Sequence, residues 1–339
     1  MKVSLIIVTL GRPLAVERCL KQAHQQTEPI HQIIVVDGDD NEEARPIAAR
    51  YPGVVYVRNP NGFGRMTGSR NVGLLHATGD IIAYIDDDAY VHLDYNREII
   101  KPYADPKVGA VGGRALNGVP GEEVTGADKV GRFSSSGNVE GYFGVDTGEI
   151  VEVDHLIGCN MSFRADILGE LGGFHEYYPG FCSTYEEADL CMRIKKLGYR
   201  IMFNPKAVVD HEGAPRKVGK RFDAPYFFRV TRNHSTLVMR NNGPLNPLPW
   251  KFLAMMIGTQ TLKLARKLAG ETSRWATGQA GLWVGFGGGI YQYWRQGRDL
   301  RRRDEMGRKI MARFAKNTTR PAAEPLPAPR PQPATSETS

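Results

Sequence analysis

Ile81-Ile82-Ala83-Tyr84-Ile85-Asp86-Asp87-Asp88 is the stretch whose reading decides the fold. An unbroken run of apolar and β-branched residues fits a short strand buried on both faces, as in a parallel sheet. Three adjacent carboxylates at its end repel one another and lose hydration unless positive charge sits among them. Hard oxygen donors suit a divalent cation such as Mg2+ or Mn2+. Open α/β sheets bind ligands beyond the carboxyl ends of their strands. A strand ending in acids therefore points to a metal-chelated, phosphorylated ligand, with a merely acidic turn as the plainer alternative for this octapeptide taken alone.

Working outward, Val3-Ser4-Leu5-Ile6-Ile7-Val8-Thr9 reads as a first buried strand, closed by the turn Gly11-Arg12-Pro13. Leu14, Val16, Cys19, Leu20 and Ala23 then follow helical spacing. Gln32 to Asp37 is a second strand, Glu42 to Arg50 a helix, Val54 to Val57 a third strand, Gly62 to Thr67 a Gly-rich loop and Ser69 to Ala77 a helix. Strands alternating with helices predict an α/β, doubly wound, mostly parallel (Rossmann-like) sheet with right-handed crossovers.

Four landmarks come in order: Thr9 at a strand end, Val35-Val36-Asp37, Ser69-Arg70-Asn71, and Ile85-Asp86-Asp87-Asp88. Together they resemble the nucleotide-sugar-binding half of the family 2 glycosyltransferases, which have the GT-A fold. Further along, Gly158-Cys159-Asn160 resembles that family's glycine-x-asparagine strand near the acceptor. Tyr185-Glu186-Glu187-Ala188-Asp189-Leu190 through Gly198-Tyr199 is similar to its EDxDLxxRxxxxGY helix, and Ala207 to His211 to its late strand ending in histidine. The helix has its own physical support: Leu190, Ile194 and Leu197 share one face, and Gly198 stands where a helix ends. The resemblance covers roughly residues 1–240.

What the resemblance implies is a metal-dependent transfer of one sugar from a nucleotide-diphosphate sugar to an acceptor hydroxyl, inverting the anomeric carbon. Asp88 is the implied Mn2+ or Mg2+ ligand, with Asp86 as a second and His211 completing the shell. Asp87 faces the ribose, while Thr9, Asp37 and Arg70 position the nucleotide. An aspartate can accept the imide N–H of uracil or thymine, which favours UDP or dTDP. The sequence reads Asp37-Gly38-Asp39-Asp40 where the family more often has VVDDGS, so Asp37 contacts the nucleotide either alone or with Asp39. Glu187 occupies the position of the catalytic base, where aspartate is commoner, with Glu186 and Asp189 as alternatives. Asn160 lies on the acceptor side. Acids at a helix start also serve as caps.

Residues 1–242 form the expected catalytic domain, divided into a nucleotide-sugar half (1–103) and an acceptor half (104–242). Within it, residues 104–150 read as an excursion rich in Gly, Ser and acids, with Gly144 to Gly148 as a hairpin turn; residues 215–242 read as a helix. Residues 243–317 are expected to form a basic, amphipathic helical extension, and 318–339 a disordered Pro-rich tail.

The 339 residues carry a net charge of +7, and its placement is uneven. Residues 250–320 hold 15 Lys/Arg against 4 Asp/Glu, a net of +11. Aromatic residues beside these bases suit a helix on an anionic membrane surface, with packing on the catalytic domain or a homodimer interface as alternatives. No nucleic-acid-binding module accompanies the charge. No leader peptide and no membrane span is expected, which suggests a cytoplasmic protein, peripheral on the inner face of the cell membrane. The four cysteines form no CxxC pair, which argues against zinc. No G-x-G-x-x-G follows the first strand and no Walker sequence occurs, which removes dinucleotide oxidoreductases and P-loop kinases. A processive polysaccharide synthase would carry QxxRW, but Gln292-Tyr293-Trp294-Arg295 lacks the final Trp. That enzyme, and a nucleotide-binding protein without catalysis, remain the alternatives. The acceptor is a glycan, a lipid-linked saccharide or a small molecule.

Overall fold

The strand ending in Asp86 lies inside a nine-stranded mixed sheet. The computed structural model describes all residues except 64, 177, 179–183, 214–223, 244, 256–283, 296–304 and 316–339. Four parallel strands form one side: β3 (Val54–Arg58), β2 (Gln32–Asp37), β1 (Val3–Thr9) and β4 (Ile81–Asp86), in that spatial order. Every residue of β1 is buried, Ser4 and Thr9 included, as a strand covered on both faces requires. Helices α1 (Pro13–His24), α2 (Arg45–Ala48) and α3 (Met66–His76) connect these strands. Register levels their ends: Thr9 pairs with Asp37, and Val8 with Asp86.

Beyond β4 the sheet continues through β10 (Met161–Arg164), β6 (Val108–Leu116), β11 (Arg200–His211) and β5 (Ala89–Val91), with β9 (Val151–Glu152) also pairing with β11. β10 runs antiparallel to both neighbours, and β6 and β11 run parallel to each other. A small ribbon, β7 (Arg132–Phe133) with β8 (Val139–Glu140), stands apart. Helices α4 (Tyr95–Ile100), α5 (Ala165–Leu171), α6 (Glu186–Lys196) and α7 (Ala224–Asn242) complete the labelled elements.

Several expectations need correction. The supposed excursion over 104–150 contains β6, a central strand. Its three glycines hide it from a propensity reading, yet packing demands them. A Cβ on Gly113 would lie 1.8 Å from the Ala207 carbonyl oxygen, and one on Gly112 would lie 2.7 Å from Leu156. Gly144–Gly148 does turn, with Gly148 donating to Asp146, but β8 pairs with β7 and β9 with β11, so no hairpin forms. The helix expected over 42–50 shrinks to Arg45–Ala48, because Glu42 has a left-handed φ of 52° and Pro46 fits only a first turn. α3 begins at Met66, inside the expected loop. β11 starts at Arg200, well before the expected Ala207. Its pairing is irregular between Asn204 and Val209, around Pro205.

Residues 247–255 and 284–295 and the segment Glu305–Ala315 are helical. The last of these packs on the catalytic body: Ile310 is fully buried in the main core, and Phe314 sits over Gly169. Much of the expected amphipathic extension (residues 256–283, 296–304 and 316–317) and the expected disordered tail lie outside the described residues. Among the described residues no helix is long and apolar enough to cross a membrane.

Candidate active site

The site is built at the carboxyl ends of β1 and β4 and completed by β11. β5 and β11 pair antiparallel with His211 opposite Ala89, and the Glu212 N–H donates to the Asp88 carbonyl oxygen at 3.1 Å. This backbone staple sets the histidine against the acid cluster. Ligand atoms of Asp86, Asp88 and His211 lie within 4.8 Å of one another. His211 Nε2 is 3.7 Å from Asp88 Oδ1, too long for a hydrogen bond. Two ligands about 2.1 Å from one cation lie about 3 Å apart when adjacent and about 4.2 Å apart when opposite. The cluster would have to draw together slightly around such a cation, and two carboxylates with an imidazole are donors that suit Mn2+ or Mg2+.

The three aspartates are not equivalent. Asp87 points inward with no exposed surface. It accepts from the Thr9 hydroxyl at 2.6 Å and pairs with Arg12, whose guanidinium also reaches Asp88 at 2.9 Å. Burial pushes the Asp87 carboxyl up to about 7, against the opposing pull of Arg12 and Thr9. Asp87 and Thr9, expected to face the ribose and the nucleotide, bond to each other in this structure. Arg12, read from the sequence only as a turn residue, is a site residue. Its signal was being the one cation in the turn that follows β1.

Asn117 was missed as well. Its side-chain oxygen lies 3.1 Å from Nδ1 of His211, while its amide nitrogen donates to Ala115 O and Glu122 Oε2. Nothing in the sequence marks it, because its partner lies on a distant strand.

Arg70, expected to position the nucleotide, is completely buried in this structure. It pairs with Glu186 at 2.6 Å and Asp86 at 3.3 Å and donates to Gly158 O at 3.1 Å. Burial alone would lower its pKa, but Glu186 and Asp86 outweigh that and raise it. Asn71 exchanges two 2.9 Å hydrogen bonds with the Phe174 backbone. Ser69 accepts from Asn59 at 3.0 Å. Arg70 and Asn71 thus clamp the two halves of the domain together, while Ser69 is tied within the first.

Asp37 has no exposed surface and accepts from the Asp39 N–H and the Tyr56 hydroxyl; Asp39 is also buried. The neighbouring loops touch at Gly38 and Gly62, where a Cβ on Gly62 would lie 2.5 Å from Gly38 Cα. Asn160, expected on the acceptor side, is fully buried, and its amide nitrogen donates to Arg114 O and Ala207 O, tying strands together.

α6 opens with the acids proposed as base. Glu186 is consumed by Arg70. Asp189 is fully buried among Arg193, His175, Tyr178 and Asn241. Burial would raise its pKa, but Arg193 and His175 outweigh this and hold it well below the usual range. Both alternatives therefore bond cationic partners, whereas Glu187 is half-buried and bonds the Glu186 carboxyl. Burial and then the neighbouring Glu186 push its carboxyl well above the ordinary glutamate value, opposed by Arg70.

A four-stranded parallel half, a mixed extension and an Asp–Asp–His cluster at the strand ends are the parts of a GT-A glycosyltransferase. The chain belongs to glycosyl transferase family 2, whose profile matches residues 4–172. It is 30% identical to the glucosyl-dolichyl phosphate glucuronosyltransferase of Haloferax volcanii, over 62% of this chain and 69% of that protein. The O-antigen chain rhamnosyltransferase RfbN of Salmonella typhimurium is 24% identical, over 66% and 70% respectively. Among solved structures, the Pyrobaculum calidifontis mannosyltransferase PcManGT, in complex with GDP-Man and Mn2+, superposes with a TM-score of 0.55 at 20% identity, covering 93% of this chain and 86% of that one.

Proposed function

We propose that the protein is a metal-dependent, inverting transferase. It moves one sugar from a nucleotide-diphosphate donor to a hydroxyl of a glycan, lipid-linked or small-molecule acceptor by direct displacement. The observation that carries this reading is the position of Arg70. One guanidinium bonds Asp86 of the cation cluster and Glu186, the neighbour of Glu187, so the proposed leaving-group and base sides are held by the same side chain.

Asp88, Asp86 and His211 would hold the cation, which supplies positive charge to the diphosphate as it leaves. Glu187 takes the acceptor proton as the new bond to the anomeric carbon forms and the bond to the phosphate oxygen breaks. A raised carboxyl pKa makes it a stronger base near neutral pH. Arg12 keeps Asp87 and Asp88 in place beside the leaving group. The nucleotide lies across the ends of β1 and β2, nearest Asp37 and Asp39, and it engages them once the loops meeting at Gly38 and Gly62 part. UDP and dTDP are the favoured carriers. GDP is the competing class, since the Pyrobaculum neighbour holds GDP-Man. An envelope glycan acceptor and a place on the inner face of the cell membrane agree with the basic C-terminal region and with the dolichyl phosphate and O-antigen relatives.

Thermal-shift measurements with UDP-, dTDP- and GDP-sugars, with and without Mn2+, test the reading. Stabilisation by at least one donor that requires metal and disappears in Asp88→Ala is expected. No metal-dependent response to any donor would overturn it.

A further inference from the structure

The helix over residues 284–295 is amphipathic in the inverse sense. Its inner face is made of glycine. A Cβ on Gly285 would lie 2.7 Å from Phe228 O on α7, and one on Gly289 would lie 2.6 Å from Ser235 Cβ and 2.7 Å from Arg232 O. These two glycines, one turn apart, seat the helix closely against α7 and fix its rotation. Phe286 completes the inner side by packing on Phe252 of the helix over 247–255.

With that rotation set, the large apolar side chains face outward. Val284 is 63% exposed, Tyr291 66% and Trp294 61%. With the exposed Gly287 they fall at i, i+3, i+7 and i+10, one continuous face of a helix. On the neighbouring helix Trp250 is half exposed, and Leu245 just before it is fully exposed. A helix packed on a globular body normally turns such a stripe inward, so a stripe held outward by backbone contact implies a non-aqueous medium outside. Lys251 and Arg295 flank the stripe and are exposed. The sequence continues with Arg298 and Arg301-Arg302-Arg303 within the +11 region.

We infer that the outer face of this helix, Val284, Tyr291 and Trp294, is the surface by which the protein lies on an anionic lipid bilayer. The aromatic rings enter the headgroup boundary and the neighbouring bases meet acidic headgroups. The inference deepens the membrane part of the function proposed above and names the surface responsible for it.

The test is co-sedimentation of the full chain with vesicles of phosphatidylcholine alone, or with about one third phosphatidylglycerol. Wild type is expected to bind the anionic vesicles, less so at high salt. The triple variant Val284→Ser, Tyr291→Ser, Trp294→Ser, and the single Tyr291→Glu, are expected to bind at least about tenfold more weakly. Unfolding midpoints confirm that the variants fold. Variants that bind like wild type, or a wild type that ignores anionic vesicles, overturn the proposal. So does a wild-type dimer by light scattering that the triple variant makes monomeric, which would make a second copy the occupant. Nucleotide-dependent stabilisation is measured in parallel. Its retention alongside failed vesicle binding sinks this surface alone, and its absence sinks the transferase reading instead.

Discussion

Asn117 Oδ1 lies 3.1 Å from Nδ1 of His211, and the Asn117 amide nitrogen is committed to Ala115 O and Glu122 Oε2. Because those two acceptors fix which way the amide points, its oxygen must face the imidazole. Nδ1 is then the protonated nitrogen and Nε2, on the Asp88 side, carries the lone pair. Partners of this kind orient metal-binding histidines, and losing one costs about 10–100-fold in affinity. Asn117→Ala is expected to weaken Mn2+ binding by that order, and Asn117→Asp, which still accepts, to retain most of it. Titration calorimetry or the Mn2+ paramagnetic signal reads this without turnover. Equal affinities for wild type and Asn117→Ala would show that the tautomer is set elsewhere.

Glu187 gives a kinetic expectation. A base whose pKa is raised by burial and by Glu186 is protonated and inactive at low pH, and becomes active as pH rises through its elevated value. The rising limb of kcat against pH should therefore lie above the ordinary glutamate range. Glu187→Gln should lower kcat by about 10²–10⁴ with little change in donor-induced stabilisation. Glu187→Asp, the shorter acid, should retain part of the activity. A Glu187→Gln enzyme with near-normal kcat removes the residue from the chemistry.

What was legible in the sequence follows from how local each signal is. β1, β2 and β4 are continuous apolar runs ending in polar residues, and their register alone gathers Thr9, Asp37 and Asp86. The helix bearing Glu187 was legible from its periodicity and the Gly198 stop, which has a left-handed φ of 87°. β6 was not, because its glycines look like loop residues until Ala207, Leu156 and Ile194 are packed against them. Roles set by distant partners were hidden for the same reason. Arg70 looks like a ligand-binding fork in the chain, and its pairing with Glu186 of α6 emerges only when the distant helix arrives.

Gly113 tests that explanation of β6. With a Cβ only 1.8 Å from the Ala207 carbonyl oxygen, Gly113→Ala must push β6 away from β11. Overpacking commonly costs about 1–3 kcal/mol, and a clash with backbone belongs at or beyond the upper end. Denaturant unfolding should show that loss, or the variant should fail to accumulate as soluble protein. Gly118→Ala, where a Cβ would meet nothing within 4 Å although φ is +70°, should cost only about 1 kcal/mol.

The Asp189 cluster makes stability depend on pH, and its sign can be worked out from His175. Burial, then Arg193, lowers the His175 pKa from 6.5 to about 4, although Asp189 pulls the other way. The unfolded chain therefore binds a proton below about pH 6.5 that the folded protein refuses until about pH 4. Stability is full above the unfolded pKa and falls on acidification through that window, by at most about 1.4 kcal/mol per pH unit. Asp189 adds a loss in the same direction at still lower pH, because its depressed pKa stabilises the fold only while it is ionised. His175→Gln should flatten the melting temperature between pH 6.5 and 4. Asp189→Asn should instead lower it at every pH, because Arg193 is left buried beside a neutral partner, at a cost of about 3–5 kcal/mol. If His175→Gln keeps the wild-type pH slope, some other group carries the acid sensitivity and the cluster serves only to join α6 to α7.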